Sequence, residues 1–235
     1  RHPEVSFEEV ETTAHLYNLL VENGVRVLDL PLKTGIVAEV GEGTPVMALR
    51  ADIDALPITE QTGLPYQSEK TGVMHACGHD FHMASVLGAT MLLREQKSLP
   101  GTVRLIFQPA EELLYGGRVM VEDGLFDQFP CDAIFGLHNM PGQPLGKIGL
   151  RDGAMMASSD TLHIEVKGVG GHGAVPEHTV DATLVACHIT LALQSIVSRN
   201  ITPFEPAVVT VGSIQAGTKS NVIPDTAVLL LKGPE

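Results

Sequence analysis

The sequence predicts an α/β protein: a mostly parallel or mixed sheet flanked by helices, joined to a second, smaller α+β domain of β-α-β-β type. Three observations carry this expectation. Short buried apolar runs alternate with longer helical patterns in the first part of the chain, as in sheets built from crossover units. Those runs stop at prolines or acidic residues. After RDGAMMASSD (151–160) the pattern changes to apolar/polar alternation, which suits an antiparallel sheet with one solvated face. We therefore expect a first domain over 1–155 and a second, smaller one over 156–235.

Taken in order, Ser6 followed by Glu9 forms a capping-box pattern, and Phe7, Val10, Ala14, Leu16, Leu19 and Leu20 give an apolar helical face ending at Gly24. VMALRADID (46–54) reads as a buried strand with an acidic end, and MASVLGATMLLREQK (83–97) as a helix. TVRLIFQ (102–108) is a strand stopped by Pro109, and CDAIFGLHN (131–139) a strand stopped by Pro141. In the second part, TLHIEVKG (161–168) reads as a half-exposed strand, GVGGHGAVP as a glycine-rich turn, and residues from about Val180 to Arg199 as a helix. AVVTVGSIQAG and NVIPDTAVLLLKG complete the unit as strands.

Composition narrows the function classes. A formal net charge of −13 opposes a nucleic-acid or anionic-membrane partner, since either requires a basic face. The longest apolar runs, such as AVLLL, are far shorter than a spanning helix. Cys77, Cys131 and Cys187 are too scattered for a disulfide framework and form no CxxC pair, which fits a reducing, cytoplasmic setting. Aromatic residues make up only 4% of the chain and tryptophan is absent, so a stacking platform for bases or sugars has little support.

The predicted strand ends collect chemistry-bearing residues. They carry Asp52 and Asp54 (RADIDALP), Glu111 and Glu112 (QPAEE) and His138 (GLHNMP), while GVMHACGHDFHMAS (72–85) supplies Cys77, His79 and His82. Open α/β sheets bind ligands beyond the carboxyl ends of their strands, and thiolate, imidazole and carboxylate together suit a borderline divalent metal. Adjacent glutamates allow one to bind metal while the other moves a proton. A Cys77 nucleophile with His79 or His82 as base is the alternative, although it leaves the glutamates and His138 without a role.

RADIDALPITEQTG, GVMHACGHDFH, GTVRLIFQPAEE followed by GG, DAIFGLHNMP, GVGGHGAVPEHTVDA, LQSIVSR and AGTKSNVIPD resemble, in order, the signatures of one metallopeptidase family. It is the amidohydrolase branch of the aminoacylase and carboxypeptidase superfamily, which includes hippurate hydrolases, N-acyl-amino-acid amidohydrolases and auxin-conjugate hydrolases. The resemblance implies two divalent ions per subunit (zinc, manganese, nickel or cobalt) with Cys77, His79, Glu112 and His138 as ligands and Glu111 as general base. It also implies that Asp54 sits behind the metals, with His82 and Asp80 supporting them, and that His172 stabilises the oxyanion across a dimer interface while Asn221 contacts substrate. His2, His15, His163, His178 and His188 match no catalytic motif. The implied substrate is a small N-acyl amino acid or peptide, and the implied assembly a homodimer through the lid domain.

Members of that family continue past the NVIPD strand to a last metal-ligating histidine. The resemblance thus leads us to expect a fragment or a shortened homologue, with the 235 residues alone binding metal poorly and turning over slowly. A weakly active or inactive metal-binding or dimerisation module is the corresponding alternative function.

Overall fold

The computed structural model describes residues 1–156 and 158–232. Ala157, inside the segment where the texture changes, and Gly233, at the end of the last expected strand, lie outside them. The chain divides into two units, Arg1–Pro144 and Leu145–Glu235.

In the first unit the elements run α1 (Val10–Glu22), β1 (Arg26–Leu28), β2 (Ile36–Gly41), β3 (Val46–Asp52), α2 (His79–Arg94), β4 (Thr102–Gln108), α3 (Gly116–Glu122), α4 (Leu125–Gln128) and β5 (Ala133–Gly136). The sheet order is β1-β2-β4-β3-β5. β3 runs parallel to β4 and β5, while β2 is antiparallel to both β1 and β4, so the sheet is mixed. Alternate side chains build a core on each face. Ile36, Ala38, Val40, Leu105 and Phe107 meet Leu16 and Leu20 of α1 and Val86 of α2 on one side, and Val37, Ala48 and Ile106 meet Met120 and Leu125 on the other. Register places Asp52 opposite Gln108 and Arg50 opposite Gly136, so the three parallel strands end at nearly the same level.

Two helix starts differ from the sequence reading. Ser6 and Glu9 do not cap α1. Ser6 donates its hydroxyl to Asp54 Oδ2 (2.6 Å), and the buried Glu9 carboxylate accepts the Ala110 amide (2.8 Å). The helix start is instead satisfied by Glu4, whose carboxylate accepts from the amides of Glu11 (3.2 Å) and Thr12 (2.7 Å). Long-range partners thus outcompeted a local cap. α2 begins at His79, four residues before the expected start at Met83, because Gly78 in the left-handed region (φ 89°) turns the chain directly into the helix. An ideal Cβ on Gly78 would lie 2.5 Å from Asn139 Oδ1, so the position also lacks space for a side chain.

In the second unit come β6 (Thr161–Lys167), β7 (Gly171–His172), a 3-10 turn (Pro176–His178), α5 (Ala182–Asn200), β8 (Thr210–Ala216), β9 (Val222–Ile223) and β10 (Thr226–Lys232). β6, β10 and β8 form an antiparallel sheet in that order, and Ala182, Ala186, Ile189 and Leu193 of α5 pack on Leu229 and Leu231 of β10. Asp181 caps α5 by accepting from the amides of Thr183 (2.9 Å) and Leu184 (3.1 Å). The β7–β9 ladder is additional to the sequence reading: Pro224 cannot donate to a ladder and splits the expected last strand into β9 and β10. By length and composition alone α5 could cross a membrane, although its apolar residues form no long unbroken run. In the structure it lies on this sheet, with Leu184 and Leu191 exposed.

Candidate metal centre

The ends of β3, β4 and β5 and the start of α2 converge. β3 leads into Asp52 and Asp54, β4 through Pro109 into Glu111 and Glu112, β5 into His138, and His79 opens α2. The connections are tied across strands: the Ile53 amide donates to Gln108 O (3.0 Å) and the Glu112 amide to Asp54 Oδ2 (3.0 Å).

His79 is fully buried, and its Nδ1–H donates to the Asp54 carbonyl (2.9 Å) with Asp54 Oδ1 at 3.3 Å. In the neutral ring that contact holds the proton on Nδ1 and leaves the electron pair on Nε2. Nε2 faces Asp52 Oδ2 (3.6 Å), Glu111 Oε2 (3.7 Å) and Glu112 Oε1 (3.8 Å). His138 repeats the arrangement. Its Nδ1–H donates to Asn139 O (2.7 Å), and Nε2 lies 3.5 Å from Cys77 Sγ. Among the described residues three donor sets result, Cys77–His79–His138, His79–Glu111–Glu112 and, further back, Asp52–His79–His82, and His79 belongs to all three.

A divalent cation fits these residues. His79 Nε2 and Glu112 Oε1 are buried and have no hydrogen-bond partner, although both are electron-pair donors facing the same space. The ionisation of the cluster points the same way. Burial, and then the charges of Glu112 and Glu111, push the Cys77 thiol up to about 11. Burial and Glu111 likewise raise Glu112. For His79, burial favours the neutral ring, but its contact with Asp54 and the charges of Asp52, Asp54 and Glu111 win and raise its pKa. Neighbouring carboxylates contribute to all three shifts, and a bound dication would oppose each of them.

Asp54 moves in the other direction. Burial would raise it, but His79, the Ser6 hydroxyl and the amides of Glu112 and Glu111 lower it from its usual 3.8 to about 2. A carboxyl depressed by folding stabilises the fold above its unfolded pKa and loses that contribution as pH falls through the folded value. Urea unfolding of chelator-treated protein should therefore show stability declining between about pH 4 and pH 2, and Asp54→Asn should flatten that part of the curve.

Behind the donors lies a polar network. His82 is fully buried, with Nδ1 2.6 Å from Asp52 Oδ1, and its Nε2 lies 2.6 Å from Asn139 Oδ1 and 2.9 Å from the Asn139 amide nitrogen. Arg50 donates to Asp52 Oδ2 (2.6 Å) and to Gln108 Oε1 (2.9 Å). Asp80 is exposed and accepts only the Phe81 amide in this network (2.9 Å). Sequence reasoning missed Ser6, Arg50 and Asn139. Asn139 was detectable only as the residue after His138, since it acts partly through its main chain.

His172 and Asn221 belong to the second unit and are neighbours there. His172 pairs with Val222 across β7–β9, and Gly173 donates its amide to Asn221 O (2.8 Å). The Ala174 amide donates to His172 Nδ1 (3.1 Å), which places the ring proton on Nε2.

A mixed α/β sheet whose strand ends gather thiol, imidazole and carboxylate donors defines a metallopeptidase-like class. Residues 48–233 match the family described as Peptidase family M20/M25/M40, and the chain belongs to it. It is 52% identical over 230 residues to the N-acetylcysteine deacetylase of Bacillus subtilis, covering 96% of this chain and 60% of that protein. It is 48% identical over 230 residues to the hippurate hydrolase of Campylobacter jejuni, covering 97% and 60%. A crystal structure of a B. subtilis protein, described as a dinuclear metal binding peptidase from the M20 family, superposes with a TM-score of 0.78 at 46% identity, covering 99% and 60%. The chain thus spans about 60% of the length of these relatives.

Proposed function

We propose that the protein to which this chain belongs is a metal-dependent amidohydrolase that cleaves N-acyl amino acids or small peptides into a carboxylic acid and an amine. The observation that carries this reading is the gathering of Cys77, His79 and His138 beside Glu111 and Glu112 at the strand ends. The names of the deacetylase and hippurate hydrolase relatives support the substrate class.

Cys77, His79, Glu112 and His138 are the proposed ligands of two divalent ions, with zinc, manganese, nickel and cobalt all compatible with this donor set. Bound there, such ions polarise an amide carbonyl and acidify water. Glu111, at 32% side-chain exposure, is open enough to meet water and close enough to His79 to share its site. It takes the proton of the attacking water and returns it to the leaving amine. Asp54 holds His79 in the tautomer that presents Nε2. His172 carries its proton on Nε2 and is suited to donate, across the proposed dimer interface, to a carbonyl oxygen gaining negative charge, with Asn221 beside it for substrate.

In this reading residues 1–155 form the catalytic domain and 156–235 the lid, and the exposed Leu184 and Leu191 of α5 support a homodimer through the lid. Free Cys77, Cys131 and Cys187 support a cytoplasmic setting. The test is amine release by the metal-loaded full-length protein from N-acetyl, N-benzoyl and indole-acetyl amino acids. Turnover of at least one class is expected, and none with fully bound metal would contradict the proposal.

A further inference from the structure

Glu9 is a fully buried carboxylate that belongs to none of the proposed ligand or proton-transfer groups. One oxygen accepts the Ala110 amide at 2.8 Å, across 101 residues of chain, while Oε2 is buried without a partner. Burying a carboxylate with one oxygen unpartnered is unfavourable, and an apolar side chain would fill the space at lower cost. The group it holds is unusual. Ala110 immediately precedes Glu111, is itself buried, and sits at φ 47°, in the left-handed region that Cβ disfavours.

The rest of that turn is closed on itself. Ala110 O accepts from the Gly116 amide (3.1 Å), Glu111 O accepts from the Leu114 amide (2.7 Å), and Leu114 is also left-handed (φ 56°). Gly116 can only be glycine, since an ideal Cβ would lie 1.6 Å from Pro109 O. The same short N-terminal segment grips this turn at two further points. Ser6 donates to the Asp54 carboxylate that accepts the Glu112 amide, and the Phe7 ring meets Tyr115 edge-on at 6.3 Å between centroids.

We infer that Glu9 is a positioning residue that clamps the strained Ala110 and thereby aims Glu111. This rests on Glu111 being the proton carrier. Glutamine keeps an acceptor oxygen and removes the charge, whereas alanine removes both, so the two variants separate the clamp from a requirement for charge. In the metal-loaded full-length protein, Glu9→Ala should lower kcat by about 10²-fold, with KM within about twofold and metal content unchanged, as expected when a reacting group is misaimed. Hydrogen exchange at the Ala110 amide should lose its protection in Glu9→Ala while Leu105 in β4 stays protected. Glu9→Gln should retain Ala110 protection and come within about fivefold of wild-type kcat. Wild-type kcat in folded Glu9→Ala, or loss of metal together with activity, would overturn the assignment. If Glu9→Ala fails to fold, Glu9→Gln decides: wild-type-like kcat and protection support the clamp, and loss of either overturns it. A wild type that hydrolyses no amide would remove the role of Glu111, and Ala110 protection alone would then decide whether Glu9 holds the turn.

Discussion

Replacing Glu111 by glutamine in the metal-loaded full-length protein should lower kcat by about 10³-fold, within the range typical of a lost general base, and leave the bound metal in place. The separation of the two effects follows from the local geometry. Glu112 is more enclosed than Glu111 (21% against 32% side-chain exposure), has an orphaned buried oxygen opposite His79 Nε2, and is anchored through its amide to Asp54. Glu111 shares the same turn but stands nearer solvent. Steady-state kinetics with metal analysis on the same preparations checks this. If the glutamine variant loses metal in proportion to activity, Glu111 is a ligand and the division of labour between the two glutamates is wrong.

Replacing Cys77 by serine should weaken metal binding by about 10²-fold or more and abolish activity at low metal, with activity partly regained as metal is raised. A thiol pushed up to about 11 is ionised in only about one molecule in 10⁴ at pH 7, so without a cation Cys77 is a poor nucleophile. A dication makes it a thiolate and occupies its electron pair at the same time. The competing expectation, a cysteine nucleophile, predicts a serine variant that holds its metal and stays inactive at any metal concentration. Activity against added metal, read beside metal content, distinguishes the two.

The parts of the fold that were legible in the sequence are those where local pattern and tertiary role agree. TVRLIFQ ends at Pro109 as a strand, and β4 occupies those residues. The convergence of Cys77, His79, Glu111, Glu112, His138 and Asp54 was foreseeable because polar groups at the ends of parallel strands share one edge of the sheet. Ser6 and Glu9 illustrate the opposite case. Their spacing is that of a capping box, yet both side chains bond to residues far along the chain, and periodicity cannot register such competition. The early start of α2 depends on a left-handed Gly78 beside Asn139, a steric relation with no local signature. Arg50 and His82 meet through Asp52 behind the donors, and only the folded sheet brings them there.

The central claim is that Cys77, His79, Glu112 and His138 hold two divalent ions in a hydrolytic centre with Glu111 as its proton carrier. The most direct measurement is chelation of the full-length protein followed by graded return of zinc, manganese, nickel or cobalt, with bound metal and hydrolysis of an N-acyl amino acid followed together. The account predicts no activity without metal and recovery that saturates near two ions per subunit. Activity that survives complete metal removal, or saturated metal binding that restores no hydrolysis, would contradict it.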